Sequence, residues 1–248
     1  MLPLATVCAY LAGRFSLQSH PPFRIFYDFP VYLVASRIPI TAILFDFGQV
    51  IASFDLERMV RNLAEASGST PAASRGAMAD VRDLALQYES GSLTTDEFFQ
   101  AVRSTTGMQI DRNRFRAAYC DIFTPVAGTH DVIRALKPRY RLGLVSNTSE
   151  WHFKYGIRPV EVFPLFDAVT LSYEVGAMKP DPAVYRDALR KLDLPAAACV
   201  YIDDIQINVD AAEQLGMRAF RYVDNATLLR DLASAGVAVI PTDSGRPV

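Results

Sequence analysis

Three apolar segments of this sequence each end in polar side chains that could take part in catalysis. These residues are Asp46 after the first segment, Ser146 and Asn147 after the second, and Asp203 and Asp204 after the third. Short apolar segments of this kind are typical of buried strands, and open α/β sheets place their sites at the carboxyl ends of such strands. We therefore expect the polar side chains to meet at one edge of a parallel sheet.

A carboxylate in this position could act as the nucleophile of a phosphoryl transfer. Asp46 could attack a phosphorus centre and form an aspartyl-phosphate, provided that a cation suppresses the repulsion between the two anions. With Asp203 and Asp204 it would offer oxygen ligands to a hard divalent ion, and magnesium bound by carboxylates, water and substrate phosphate fits this chemistry. We therefore predict Mg²⁺ as the cofactor, although Asp46 alone would also suit a structural role at the end of its strand.

Further polar side chains suit the binding of a phosphate. Ser146 and Asn147 could donate hydrogen bonds to phosphoryl oxygens, although both residue types also cap helices. Lys179 is the predicted countercharge that holds nucleophile and phosphate together, and the alternative is a solvated surface lysine. Asn208, one helical turn beyond Asp204, could reach the surroundings of the metal.

Trp151 and His152, a few residues after Ser146 and Asn147, could line the mouth of a cleft. A lone histidine is more often a structural residue than a substrate contact, so the structural role is favoured for His152. The sequence shows no Ser-His-Asp or Cys-His arrangement that would compete with the aspartate site.

The elements that must position these residues alternate in type after Pro125. Predicted strands cover 141–145, 168–171, 199–202 and 218–222, and predicted helices cover 129–137, 182–192 and 207–215. Such alternation favours a parallel sheet with helices on both faces, which is an α/β core of Rossmann-like type.

The chain between Asp46 and Ser146 has a different pattern, with apolar residues at helical spacing and no strand signal. Residues repeated in this way include Leu56, Met59, Val60 and Leu63. One hundred positions separate Asp46 from Ser146, which is far more than one crossover helix requires. The predicted domains are a helical cap at 55–125 and a core at 41–54 and 126–240.

The order of these motifs resembles the haloacid dehalogenase (HAD) superfamily of hydrolases over about residues 41–223. Residues 46–50 read Asp-Phe-Gly-Gln-Val and are similar to the first motif, Asp-Phe-Gly-x-Val, of a phosphatase-like branch. This branch includes the phosphatase domain of soluble epoxide hydrolases and bacterial sugar-phosphate phosphatases. Residues 178–182, Met-Lys-Pro-Asp-Pro, resemble the third motif of the superfamily.

The resemblance implies a Rossmann-like sheet with an inserted helical cap, and a phosphatase activity. It also implies that Asp46, Asp204 and the backbone carbonyl of Gly48 bind the metal ion. Asp203 would then lie beside the ligands and orient water molecules or Lys179.

Gly48 departs from the pattern of most HAD phosphatases, which carry a second aspartate two residues after the nucleophile. That aspartate protonates the leaving oxygen and later activates water. Without it, transfer to Asp46 should depend steeply on the leaving group, unless a water molecule or a cap residue substitutes. The glycine could also serve a backbone turn with positive φ.

The predicted function is that of a magnesium-dependent phosphomonoesterase acting on a small phosphorylated metabolite. A 2-haloacid dehalogenase would use the same nucleophile on carbon without a metal, so the Asp203–Asp204 pair argues against it. A phosphomutase would need a general acid/base, which Gly48 cannot supply. The remaining alternative is a HAD-fold binding or regulatory module with weak or no turnover, for which Gly48 is the only support.

The composition argues against some classes of partner. The chain is 50% hydrophobic and 21% charged with a net charge of −2 and no basic patch, so we expect no nucleic-acid partner. Residues 1–11 are apolar but too few to span a bilayer, and we expect no stable membrane insertion. Three cysteines without metal-type spacing indicate reduced thiols and a cytoplasmic location.

The two ends of the sequence carry little structural signal. Residues 1–40 are predicted to be a poorly ordered or loosely docked extension, and residues 241–248 a disordered tail. The sequence does not indicate an oligomeric state.

Overall fold

The structure is a computed structural model, and it describes residues 38–240. The predicted tail at 241–248 lies outside the described residues. The predicted extension at 1–40 also lies outside them, apart from its last three residues.

The described residues form strands and helices in alternation, with a group of consecutive helices after the second strand. The strands are β1 (Ala42–Phe45), β2 (Ala52–Phe54), β3 (Phe123–Pro125), β4 (Arg141–Ser146), β5 (Ala168–Leu171), β6 (Cys199–Asp203) and β7 (Arg218–Arg221). The helices are α1 (Leu56–Ser67), α2 (Pro71–Asp80), α3 (Arg82–Glu89), α4 (Thr95–Thr106), α5 (Arg112–Cys120), α6 (Ala127–Leu136), α7 (Glu150–His152), α8 (Ser172–Val175), α9 (Pro182–Leu192), α10 (Gln206–Gln214) and α11 (Asn225–Ser234). Within residues 38–240, no helix has the length and apolar character that a membrane crossing requires.

Five of the strands form one parallel sheet in the order β5-β4-β1-β6-β7. The three strands that carry the predicted site residues are therefore neighbours, with β1 between β4 and β6. Phe45 pairs with Leu144 on one side and with Ile202 on the other. This register brings the three strand ends together, and the predicted α/β fold with a parallel sheet is confirmed.

Strand β1 is wholly buried because both faces of the sheet are covered. Ile43 and Phe45 pack on one face with α6 and α11, whereas Ala42 and Leu44 pack on the other face with α9 and α10. Successive side chains of a strand point to opposite faces, so a strand buried on both sides must be apolar throughout. Burial on both faces therefore explains why the residues of β1 before Asp46 are all apolar.

Helices α1 to α5 share an apolar cluster of their own, built around the aromatic rings of Tyr88, Phe98 and Phe115. Local signals fix the helix starts in this group. Thr94 and Glu97 form a capping box at the start of α4, and this arrangement satisfies two backbone N–H groups that the helix leaves free.

The chain between the first two motifs is not entirely helical, so the sequence prediction was wrong at this point. Strands β2 and β3 pair antiparallel, with Ala52 opposite Pro125 and Phe54 opposite Phe123. Each strand has only three residues, which is too short to show an alternating pattern. Strand β2 lies just before the helical group and β3 just after it, so their pairing holds the two ends of the group together.

Two cysteines lie in the described part of the chain, Cys120 and Cys199, and both are free and buried. Burial raises the pKa of the Cys120 thiol to about 12 and that of Cys199 to about 11. Thiols of this kind stay protonated and unreactive at neutral pH, as expected for small core side chains.

Candidate active site

Lys179 lies between two carboxylates, that of Asp46 directly after β1 and that of Asp203 at the end of β6. Its Nζ atom is 2.7 Å from Asp46 Oδ1 and 2.7 Å from Asp203 Oδ2. It also donates to the carbonyl oxygen of Val145 at 3.2 Å. Three acceptors match the three N–H donors of an ammonium group, so this buried side chain is held in one position.

Burial and the neighbouring charges shift the pKa values of Asp46 and Lys179. Burial raises the pKa of Asp46 to about 7, although the neighbouring ammonium of Lys179 opposes this effect. Burial alone would lower the pKa of Lys179, but the carboxylates of Asp46 and Asp203 outweigh it and raise the pKa above its usual value. Lys179 therefore remains positively charged at neutral pH.

Asp203 is fully buried, and the described residues supply hydrogen bonds to both of its oxygens. Besides Lys179, the donors are the hydroxyl of Tyr201 at 2.5 Å, the backbone N–H of Ile205 at 2.8 Å and the amide of Asn208 at 3.1 and 3.2 Å. These contacts fit the predicted role of Asp203 as a residue that orients Lys179. Asn208 lines the cavity between the strand ends and the helical group, and its amide donates to Asp203 and so supports that carboxylate.

The sequence prediction missed Tyr201, although the periodicity of β6 could have identified it. Residues two apart on a strand point to the same face, so Tyr201 and Asp203 lie side by side. Burial raises the pKa of the Tyr201 hydroxyl far above its usual value, which keeps it a hydrogen-bond donor.

Three carboxylates could hold a metal ion. Asp46, Asp203 and Asp204 each offer one oxygen, and these oxygens lie within 4.8 Å of one another. Oδ2 of Asp46 and the carboxylate of Asp204 accept no hydrogen bond from any described residue, whereas both oxygens of Asp203 are occupied. Hard oxygen donors of this kind fit magnesium, and the free oxygens make Asp46 and Asp204 the available ligands.

Ser146 ends β4, Asn147 follows it, and both line the same cavity as Asp46. The contact of the Ser146 hydroxyl with the Asn147 carbonyl is long at 3.5 Å, so the hydroxyl can still bind a substrate. Asn147 has a second function, because its amide accepts from the backbone N–H of Lys179 at 2.7 Å and donates to the Lys179 carbonyl at 3.1 Å. One N–H of the amide remains for a phosphate oxygen.

A comparison with known protein families identifies the chain. The family model of the haloacid dehalogenase-like hydrolases matches residues 35–216. The chain belongs to this family. The superfamily that the motifs indicated is confirmed, and so is the prediction of an enzyme.

Among known relatives, the HAD-like hydrolase is similar to D-ribitol-5-phosphate phosphatase of Bacteroides thetaiotaomicron. The two are 26% identical over 197 residues, which cover 77% of this chain and 95% of that protein. A solved structure of a HAD family enzyme from the same organism, in complex with magnesium and inorganic phosphate, matches with a TM-score of 0.66 at 25% identity. The match covers 77% of this chain and all of that one.

The fold is also shared with dehalogenases. A solved L-2-haloacid dehalogenase matches with a TM-score of 0.61 at 20% identity, covering 79% of this chain and 99% of that one. At this identity the match shows the fold of the HAD-like hydrolase and does not decide its reaction.

A cavity of about 310 Å³ lies between the strand ends of the HAD-like hydrolase and its helical group. The polar end of the cavity contains Asp46, Ser146, Asn147, Lys179 and Asp204. Eight apolar side chains form most of the remaining lining: Phe47, Phe54, Leu56, Ile122, Phe123, Ile157, Met178 and Ile205. The other lining residues are Gly48, Glu89, Thr148, His152 and Asn208. The helical group thus faces the same side of the sheet as Asp46.

His152 lines this cavity, but its ring has a structural partner. Its Nε2 atom is 3.1 Å from the carbonyl oxygen of Tyr119, and the two rings stack at 4.3 Å. Burial lowers the pKa of His152 to about 4, so the imidazole is neutral. Trp151 does not line the cavity and instead packs in the apolar cluster of the helical group.

Gly48 does not have a positive φ, so the turn does not need a glycine for that reason. The positive φ belongs to the next residue, Gln49, at 57°. A Cβ atom added to Gly48 would lie 3.3 Å from Cε1 of Phe54, whose side chain is partly exposed and can shift slightly.

We therefore expect Gly48→Ala to fold normally, with a loss in free energy of unfolding below about 1 kcal/mol. Gly91→Ala is the control, because Gly91 has a φ of 76° and its added Cβ would overlap the backbone carbonyl of Tyr173. Denaturant unfolding should show a much larger loss for the control. Equal losses would mean that the space beside Gly48 is tighter than the structure indicates.

Proposed function

We propose that this HAD-like hydrolase is a magnesium-dependent phosphomonoesterase that works through an aspartyl-phosphate on Asp46. The observation that carries this proposal is the buried Asp46–Lys179–Asp203 triad, in which Oδ2 of Asp46 remains free beside the cavity. The similarity to a phosphatase and to an enzyme that binds magnesium and phosphate supports the same function.

The metal would be held by Asp46, Asp204 and the backbone carbonyl of Gly48. The free oxygens of the two aspartates fit this role, and Gly48 lines the same cavity. When bound, magnesium would neutralise charge on the phosphate and thereby allow one anion to approach another. Lys179 would contribute further positive charge at Oδ1 of Asp46.

The residues of the chain would divide the reaction between them. The carboxylate of Asp46 attacks phosphorus through one of its oxygens while the bond to the leaving oxygen breaks. Ser146 and the free N–H of Asn147 donate to phosphoryl oxygens as negative charge shifts onto them. Water then attacks the aspartyl-phosphate, releases inorganic phosphate and restores Asp46.

The domain division belongs to the same proposal. Residues 55–125 would form a cap over a core of 41–54 and 126–240. The cavity has lining residues from both parts, which supports a cap that selects the substrate and excludes water during the reaction.

The leaving group in this proposal is mainly apolar. Away from the phosphate end, a polyol would meet mainly aromatic and aliphatic side chains and few polar ones, among them Glu89, Thr148 and His152. Most of its hydroxyl groups would therefore lose hydrogen bonds on binding. The relatives of this chain include one phosphatase named for a polyol phosphate and one named for an apolar terpene. One is the D-ribitol-5-phosphate phosphatase, and another is a sesquiterpene phosphatase of Aspergillus oryzae that is 26% identical over 151 residues, covering 59% of this chain and 76% of that protein.

Phosphate release from n-hexyl phosphate and from D-ribitol 5-phosphate tests the proposal, because both substrates are esters of primary alcohols. With magnesium present, we expect kcat/KM for n-hexyl phosphate to be at least ~10-fold higher, since each buried methylene group contributes about 0.8 kcal/mol. Excess chelator should abolish both activities.

Each part of the proposal has a separate contrary result. Activity that persists in excess chelator would refute the magnesium requirement. A preference for D-ribitol 5-phosphate would refute the apolar leaving group while leaving the phosphomonoesterase function intact. L-2-chloropropionate serves as the control for dehalogenation, and we expect no release of chloride from it.

A further inference from the structure

Gly48 provides no side chain for proton transfer, so another group must carry the proton if the enzyme acts on ordinary alkyl esters. Among the described residues, five titratable side chains line the cavity: Asp46, Glu89, His152, Lys179 and Asp204. Four of them have other functions in the site described above. The fifth, Glu89, lies at the end of α3 in the helical group.

The four occupied groups are unsuited to the task for separate reasons. Asp46 is the proposed nucleophile and Asp204 a proposed metal ligand. All three N–H donors of Lys179 are used, and the ring of His152 contacts the Tyr119 carbonyl in its neutral form. Only Glu89 is left to exchange a proton with a substrate.

The carboxyl group of Glu89 makes no hydrogen bond and no ion pair with any described residue. A carboxylate that is largely removed from water without a partner is destabilising, so such a group is more typical of a functional site than of a structural one. Burial raises the pKa of Glu89 to about 7. Near neutral pH it can therefore both give and accept a proton.

The backbone at Glu89 is fixed to the core on two sides. The hydroxyl of Ser172 is 2.5 Å from the Glu89 carbonyl oxygen, and the hydroxyl of Tyr88 accepts from the backbone N–H of Trp151 at 3.0 Å. Tyr88 is fully buried in this position. Glu89 is thus held beside the cavity by contacts to the core as well as by its own helix.

The surroundings of Glu89 argue against a role in reading substrate hydroxyl groups. A site that recognises a polyol presents several polar groups, because each hydroxyl needs a partner. The other cavity-lining residues from the helical group and its base are apolar: Phe54, Leu56, Ile122 and Phe123. A single carboxyl group in an apolar wall is better suited to proton transfer.

We propose that Glu89 is the general acid and base of the reaction and substitutes for the side chain that Gly48 lacks. This proposal rests on the phosphomonoesterase function proposed above. In the first step Asp46 forms a bond to phosphorus and the bond between phosphorus and the leaving oxygen breaks. The Glu89 carboxyl gives its proton to that leaving oxygen as it separates. In the second step the Glu89 carboxylate takes a proton from the attacking water, the bond between Asp46 and phosphorus breaks, and inorganic phosphate leaves.

The test compares Glu89→Gln with the wild type on two esters that differ in their leaving groups. For n-hexyl phosphate, whose alkoxide leaves poorly, we expect kcat/KM to fall by about 10²–10³-fold. For 4-nitrophenyl phosphate, whose phenolate needs no proton, the loss should stay below about 5-fold. Glu65→Gln makes the same chemical change at an exposed position of α1 and should leave both activities unchanged.

Equal losses on the two esters would overturn the role of Glu89 and leave the proposed function standing. A wild-type enzyme that hydrolyses neither ester would overturn the proposed function and the role of Glu89 with it.

Thermal unfolding gives a second measurement that does not depend on activity. Because the pKa of Glu89 is raised on folding, the wild type loses stability as the pH rises from about 4.5 to about 7. Glutamine does not titrate, so Glu89→Gln should raise the Tm by a few degrees at pH 8 and leave it unchanged near pH 4. A lower Tm at both pH values would indicate a structural residue and overturn the proposal.

The pH profile with n-hexyl phosphate should change as well. Above about pH 7 the wild type should lose kcat/KM as Glu89 loses its proton, and Glu89→Gln should lack this decline. Other titratable groups in the same region are Asp46, Lys179, Asp204 and His152, which line the cavity, Tyr119 on α5, and Tyr173 and Glu174 on α8, which packs against α3. They are the same in both proteins, so an identical decline in the variant would overturn the proposal.

Discussion

Asp46→Asn should reduce kcat by at least about 10⁴-fold on every phosphate ester that the wild type hydrolyses. An amide cannot form the acyl-phosphate, and the remaining groups can only bind and polarise the substrate. The measurement is phosphate release from 4-nitrophenyl phosphate, for which the leaving group needs no protonation. Asp80→Asn, at an exposed position at the end of α2, is the matched control and should retain full activity.

The same prediction can be checked by trapping the intermediate. Wild-type enzyme denatured by acid during turnover should carry a phosphoryl group on the peptide that contains Asp46, as measured by mass spectrometry. The Asp46→Asn protein should carry none. Substantial turnover by this variant, or a phosphoryl group on another residue of the wild type, would rule out Asp46 as the nucleophile.

Lys179→Met should reduce both stability and activity. The substitution leaves the carboxylates of Asp46 and Asp203 buried without the cation that each now contacts at 2.7 Å. Breaking a buried ion pair by removing one partner typically lowers the free energy of unfolding by about 3–5 kcal/mol. We expect denaturant unfolding to show a loss of this size, and kcat to fall by about 10³-fold as positive charge beside the phosphate is lost.

A second substitution separates the two effects. Lys179→Met combined with Asp203→Asn removes one of the uncompensated charges, so it should recover part of the stability without recovering activity. Lys154→Met is the control, because the Lys154–Glu150 pair is exposed and should contribute less than about 1 kcal/mol. If Lys179→Met unfolds at the same denaturant concentration as the wild type, the triad is not the stabilising unit described here.

The central strands were predictable from the sequence because their environment is uniform. A parallel strand covered on both faces must be apolar at every position, so β1 and β6 stand out as continuous apolar runs. Asp46 and Asp203 are the polar residues that end these runs. They must lie close together when β1 and β6 are neighbouring strands. Helix α9 was predicted with its observed bounds, since Asp181 and Pro182 are typical of a helix start.

Other features depend on tertiary contacts that the local sequence does not encode. The alternation of β6 places Tyr201 on the same face as Asp203, but the contact of its hydroxyl with Asp203 depends on the packing around the strand. Glu89 ends an ordinary surface-type helix and belongs to no motif. Its position beside the cavity follows from the docking of α3 on Ser172, a residue 83 positions away along the chain.

The sheet order also governs how the site can form during folding. Strand β1 lies between partners whose paired residues are about 100 and about 160 positions away in the sequence, a high contact order that slows folding. The loops that join these partners must close before any pairing of β1 stabilises the chain. Asp46, Lys179 and Asp203 therefore come together only when the centre of the sheet is complete, and a partly folded chain with its helices already formed would have no catalytic centre.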